Sequence, residues 1–513
     1  MTVFQNKKAK LLQFFTLIIV VAMLLSALFF LPQRLRSQTG VLSLLIIILG
    51  MIFVVGWYFW RRMTIRTKVK IAWLLFICGV ALQIILILTL STGSTWDPQV
   101  TLNSLVRRYV YKDKSIPFHT MTYNYLSYCP NNLFLFYFYA GLQKMALWLH
   151  VTLSWTFINW FNALAIDVSV LIFYATGKKI LPKNQSLLLF ILLTLTFIWS
   201  PWVVITYTDT LSLLTTSLAL WLLILLLRTK SSWRYLEAIS MGLVIAIGYY
   251  LKASSVIFAV AACLISLIMV MFKSPKRWRN VGLLATACVS FGLFFGLFGQ
   301  INKTQKLYPI NTSLKHPSTY YMMLGSQGVG DWNQRDFARM LATKGQNNKR
   351  KLSIDVYTQR VKKMNWRYLP FLARKFYYTV QDGSWGWGRN SNANGFLLQT
   401  RPQKRTIGGY LRSLFYPLGR HVSIFYVVAQ CWWILLLVLA LPSCWQQLKR
   451  QPNLLQSGLN LTILGSILYL LLFESGMSRY LIQFLPFYLT VIVQPSFRLD
   501  NQSSGLSTDN DAK

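Results

Sequence analysis

Negative charge is what this chain has least of. Thirteen Asp and Glu stand against 52 Lys and Arg in 513 residues, a formal net charge of +39. Charged residues of both signs make up only 13% of the chain and hydrophobic ones 55%, where a soluble protein carries about 25% charge. That balance excludes an ordinary soluble globular chain. Cysteine is scarce too: Cys78, Cys129, Cys263, Cys288, Cys431 and Cys444 follow neither a zinc spacing nor a disulfide framework. There is no P-loop and no Gly-rich dinucleotide fingerprint, so the usual phosphate cradles of nucleotide enzymes are missing. No internal repeat is visible, which argues against the repeated halves of many transporters.

What is present is a series of apolar runs, at 11–31, 41–60, 71–91, 132–149, 156–176, 185–201, 208–227, 236–251, 255–272, 280–299, 421–443, 456–473 and 481–495. Most approach the length of about 20 residues that carries a helix across a hydrocarbon core. The first follows Lys7, Lys8 and Lys10 as a signal peptide would, but its length and its lack of a small-residue cleavage site predict a retained helix. The surplus of cations points to anionic partners: lipid headgroups, phosphates or acidic glycopolymers, rather than nucleic acid.

Lys and Arg in short loops set orientation. Clusters at 7–10, 61–70, 178–183, 228–234, 273–279 and 449–450 all belong on the cytoplasmic side. Thirteen crossings cannot satisfy them, because 92–131 falls outside and 178–183 inside with two runs between. The segment 132–149, flanked by Asn131, Asn132 and His150 and carrying Gln143 and Lys144, is therefore expected to be a re-entrant or interfacial helix. About twelve spans remain, with both termini cytoplasmic. The segment 300–420 has 10 Lys, 11 Arg and 4 Asp, hence +17; it is expected to be a small, mostly helical extracytoplasmic domain, since long domains escape the charge rule. The divisions are then 1–299 for the N-terminal membrane region, 300–420, 421–499 for the last membrane helices, and 500–513 as a disordered tail.

So few carboxylates make each one informative. Asp97, the first acidic residue of the chain, closes the third run in "STWDPQV", where the helix dipole disfavours a negative charge. Trp96 and Pro98 flank it, a setting that would hold a base still at the interface. Asp209 opens another run in "PWVVITYTDTLSLL" and Glu474 closes a third in "LLFESGMSRYLIQFLP". All three fall at outer helix ends, where they could converge on one crevice. Plainer readings stand beside these: a solvated loop acid for Asp97, an N-cap for Asp209, a pair with Arg479 for Glu474. Asp167, mid-run in "NALAIDVSVLIF", reads as a structural contact with Asn162 as its companion. Lys252 reads either as a cation facing the crevice or as a snorkelling lysine. Arg479, followed by Tyr480, offers a guanidinium suited to a phosphate.

An Asp after an early span, "P-W-x5-T-D" ending at Asp209, and "E-x4-R-Y-x5-P" from Glu474 together resemble integral-membrane glycosyltransferases of the GT-C class. The nearest group is the protein O-mannosyltransferase-like and aminoarabinose-transferase-like enzymes. "YCPNN" at 128–132, "LGSQGVGDW" at 324–332 and "DGSWGWG" at 382–388 resemble more narrowly the Gram-positive exosortase G-associated glycosyltransferases. The likeness spans about 71–495. It implies an all-α, GT-C-like polytopic fold, a multi-pass place in the cell membrane, and an active site on the extracytoplasmic face. The implied donor is a polyprenyl-phosphate-linked sugar; the implied acceptor is a cell-surface glycan, lipid or protein, and the charge balance makes an anionic glycan or protein the expected partner. Carried over, Asp97 and Asp209 are the catalytic acids, Asp209 acting in some relatives through a divalent metal, with no other cofactor implied. Lys252, Glu474, Arg479 and Tyr480 are the substrate-binding residues. The chain departs from the family in having "WDPQ" without a neighbouring charge, and in two additional N-terminal spans. The rival expectations are a flippase or transporter for a lipid-linked surface polysaccharide, and a non-catalytic assembly subunit for one.

Overall fold

The computed structural model describes residues 3–35, 39–112, 123–228, 233–272, 277–387, 397, 406–451 and 453–493. Asp113 and the expected disordered tail lie outside them. Among the described residues there is no strand, only a single bridge between Ser94 and Leu397. Each apolar run contributes a helix: α1 (Val3–Leu35), α2 (Thr39–Arg62), α3 (Ile65–Leu90), α4 (Leu133–Trp148), α5 (Trp155–Ile180), α6 (Lys183–Leu193), α7 (Thr208–Arg228), α8 (Trp233–Leu251), α9 (Val256–Phe272), α10 (Arg277–Thr304), α16 (Val422–Lys449), α17 (Leu454–Phe473) and α18 (Leu485–Ile492). The polar middle of the chain forms α11 (Thr319–Gly325), α12 (Gln334–Ala342), α13 (Gln346–Met364), α14 (Tyr368–Val380) and α15 (Ile407–Phe415). Helices dominate because lipid supplies no partners for backbone N–H and C=O groups, and a helix satisfies them internally. Side-chain caps set several starts: Thr64 accepts from the Thr67 amide ahead of α3, and Ser154 from the Phe157 amide ahead of α5.

Among the described residues, eight helices are long and apolar enough to cross a membrane: α1, α2, α3, α5, α7, α10, α16 and α17; α6 and α9 are shorter apolar helices. α1 packs on α16, α7 on α5 and α8, α8 on α10, and α9 on α17. Where α8 meets α10 the backbones touch: a Cβ on Gly242 would lie 2.6 Å from the Phe291 amide nitrogen. α2 sits at the outside of the bundle, with Val41 and Val54 68% and 65% exposed, a surface that only lipid makes tolerable. The polar segment has a small core of its own, built from Tyr320, Met323, Leu324, Met340 and Val356. Arg360 clamps it with two bonds to Asp336, at 2.9 and 2.7 Å, and one to the Met323 carbonyl.

The stretch "DGSWGWG" is where that segment locks into the membrane helices. Asp382 accepts from Arg34 at the end of α1 (2.7 Å), from the Ser384 amide and hydroxyl, and from the Gly386 amide. Gly383 donates to Gln430 of α16, and Gln430 donates in turn to Ala27 of α1 and to Gln381. A Cβ on Gly383 would lie 2.3 Å from the Ala429 carbonyl oxygen, so no other residue fits there. Burial works to raise the Asp382 carboxyl pKa, but Arg34 and the Ser384 bonds outweigh it and hold it below the ordinary range. A depressed carboxylate stabilises the fold above its unfolded pKa, and that contribution disappears as pH falls through the folded value.

Removing one partner of a pair this buried strands the other charge. Arg34→Met is expected to cost about 3–5 kcal/mol, read as thermal unfolding in detergent. Adding Asp382→Asn should recover part of the loss. A single variant as stable as the parent would show that the contact holds nothing together.

Candidate functional site: a charged cluster at one end of the bundle

Asp209 stands in the first turn of α7 with no exposed surface. One carboxylate oxygen accepts from Lys252 Nζ, the other from Arg479 Nη1 at 3.2 Å. Lys252 follows the end of α8, and Arg479 lies in the turn between α17 and α18, so three distant stretches meet at this acid. Tyr480 closes the group: its ring lies 4.5 Å from Lys252 Nζ and 4.7 Å from the Arg479 guanidinium carbon, and its hydroxyl accepts from Arg479 Nη2 at 3.2 Å. Within the triad two cations share one acid, and Asp97 and Glu474 bring further negative charge close by.

Asp97 is half-buried beside this triad. The Tyr207 hydroxyl donates to its Oδ2 at 2.8 Å, and the Tyr207 ring lies 5.5 Å from the Arg479 guanidinium carbon. Tyr207 therefore touches both the acid and the cation. Burial, then Asp97, raises its phenol well above the ordinary value, so it stays a donor. Two asparagines on α5 brace the loops that carry these groups. Asn159 donates to Ser91 at the end of α3 (2.8 Å) and accepts from Thr206 (2.8 Å). Asn162 donates to the carbonyls of Trp202, Val203 and Ile205, folding the "PWVVI" turn that delivers Asp209. Tyr139 of α4 donates to the Thr206 carbonyl from the other side.

Glu474 caps the end of α17 and is half-buried. Burial raises its carboxyl above the usual range against the pull of Lys252, Arg479 and Lys375. It accepts no hydrogen bond and forms no ion pair within the described residues. The strap 324–332 lies against this turn: the Gly476 amide donates to the Val329 carbonyl at 2.6 Å, and Lys375 of α14, fully buried, donates to the Gly325 carbonyl at 2.9 Å. Burial brings the Lys375 ammonium down to about 8, with Glu474 and Asp331 pulling the other way.

The structure thus brings Asp97, Asp209, Lys252, Glu474, Arg479 and Tyr480 to one end of the bundle. Asp209 is bonded to side-chain cations and is not acting as an N-cap; Arg479 pairs with Asp209 rather than with Glu474; Lys252 turns inward rather than toward headgroups. Asp167 accepts from Gln83 of α3 at 3.0 Å, not from Asn162, whose amide is committed to the turn before Asp209. Among the described residues no group of three His, Cys, Asp or Glu is placed to hold a metal ion. With a cation on each oxygen, Asp209 does not fit a metal ligand. Tyr207, Asn159 and Lys375 had no signal in the sequence beyond lying near a motif, because their partners come from remote segments.

Long apolar helices gathered around a buried charged cluster make this a polytopic integral membrane protein. Residues 3–496 match the model of a family described as "conserved hypothetical integral membrane protein", and the chain belongs to that family. No curated protein and no solved structure matches it.

Replacing Asp209 by Asn leaves Lys252 and Arg479 buried without their counter-charge. The expected cost is about 3–5 kcal/mol, measured by thermal unfolding, and Lys252→Met added to Asp209→Asn should return part of it. Equal melting of single variant and parent would refute the buried triad.

Proposed function

We propose that this protein is a membrane glycosyltransferase that moves a sugar from a polyprenyl-phosphate carrier to an acceptor on the extracytoplasmic face. The observation that carries the reading is the meeting of Asp97, Asp209, Lys252, Glu474 and Arg479 from four separate stretches of chain. An acceptor hydroxyl attacks the anomeric carbon and gives its proton to Asp97. The bond from that carbon to the phosphate oxygen breaks, and the lipid phosphate leaves. Lys252 and Arg479 stabilise the charge growing on the leaving group. Asp209 holds both cations in place and does not touch the reacting atoms.

Reading the Lys/Arg-rich short loops as cytoplasmic favours twelve crossings with the cluster outside. For the 132–149 segment, support comes from Tyr139: midway along α4, it bonds the loop that delivers Asp209, so α4 runs at the level of the cluster.

Asp97→Asn should keep the protein folded and lower release of polyprenyl phosphate by about a hundredfold, the scale of losing a general base. Near-full turnover in this variant would remove Asp97 from that role. Topology is tested with cysteines at 366 and 278 in a cysteine-free chain, since Trp366 and Trp278 are 68% and 82% exposed. A membrane-impermeant reagent on intact cells should label 366 and spare 278; the reverse pattern would invert the orientation.

A further inference from the structure

Beside the triad, and separate from it, lies a second set of polar groups that do not satisfy one another. Gly330, at φ +91°, presses the strap against the 474–476 turn: a Cβ there would lie 2.8 Å from Ser475 Cα and 2.9 Å from the Glu474 carbonyl oxygen. The next residue is Asp331, whose Oδ1 is buried without a hydrogen-bond partner. Ser475, 7% exposed, lies beside it in the turn, next to Tyr480. Lys375 gives one proton to the Gly325 carbonyl and forms no ion pair with a described residue, although Glu474 and Asp331 are its acidic neighbours. Unpaired polar atoms in a buried setting are costly, so native structures rarely keep them without a partner. Next to them Trp332 leaves 58% of its surface open, with its ring centroid 5.9 Å from that of Phe337.

We infer that Asp331, Trp332 and Glu474 form a subsite for a neutral saccharide. Carboxylates accept from sugar hydroxyls, and an open indole offers a flat apolar face to a sugar ring. A metal ion suits the place badly, because Lys375 and Arg479 already supply positive charge. A free phosphate would meet two acids there, whereas the Lys252 and Arg479 side of the cluster is the cationic one. The inference deepens the reading of the cluster as a glycosyltransferase site, yet it concerns binding and not transfer.

The test is saturation-transfer difference NMR on the full chain in nanodiscs, with chitotriose, maltotriose and cellotriose as probes, each at about 10 mM, suited to weak millimolar binding. At least one trisaccharide should bind. Asp331→Asn and Trp332→Ala should each weaken that binding by about tenfold, the scale of one lost hydrogen bond to a charged group. Trp332→Tyr should retain it. Trp366→Ala, an exposed tryptophan elsewhere in the same segment, should leave it unchanged. Every variant is first checked for an unaltered melting temperature. Binding of none of the three, unchanged binding in both Asp331→Asn and Trp332→Ala, or an equal loss in Trp366→Ala would each overturn the inference. Because no donor lipid is present, trisaccharide binding without polyprenyl phosphate release in the transfer assay would sink the transferase reading alone.

Discussion

A carboxylate with none of its surface exposed, held between a lysine and an arginine, is the constraint on which the cluster rests. Moving such charges out of water costs several kcal/mol each, repaid only when the geometry keeps them together. Asp209 can therefore be buried only if the end of α8 and the turn after α17 both reach it. That requirement ties together parts of the chain some 270 residues apart. It also explains the bracing around them: Asn159, Asn162 and Tyr139 take up the backbone groups of the loop that carries Asp209, so it does not drift from its partners.

The shortage of acids gives the same logic a wider reach. With 52 basic residues and 13 acidic ones, three buried carboxylates find cations, and each pair becomes a fixed point. Asp382 with Arg34 pins the polar segment to α1, and Asp336 with Arg360 pins that segment's own helices together. Asp97 and Glu474 differ. Asp97 meets a phenol and not a cation, and Glu474 has cationic neighbours at a distance but no bond. Carboxylates left without an ion pair in a protein so rich in cations are the ones still able to act on something else, which is why the proposed chemistry falls on them and not on Asp209.

The polar segment belongs to the same arrangement. Its strap lies on the 474–476 turn, and Lys375 reaches the site from α14. Any ligand above the cluster would meet both the membrane helices and this segment, so the two parts are best understood as one working surface.

The helices were legible from the sequence because apolar runs near 20 residues have one stable answer in lipid, and each run contributes a helix. The scarcity of acids singled out Asp97, Asp209 and Glu474, and position at the ends of runs was enough to suggest that they meet. Which side chains they meet was decided only by the tertiary structure. "DGSWGWG" stood out in the sequence only as a family-like motif and forms a locking turn around Asp382, because Arg34 arrives from the far end of the chain. Asn162 looked like a companion for Asp167 and instead folds the turn before Asp209, because α5 lies against that turn. Tyr207 gave no signal, since a tyrosine in an apolar stretch is ordinary until its hydroxyl finds Asp97. Hydrophobic length is a local property written in consecutive residues; the pairing of a buried charge is a long-range one, set by which helix ends the packing brings together.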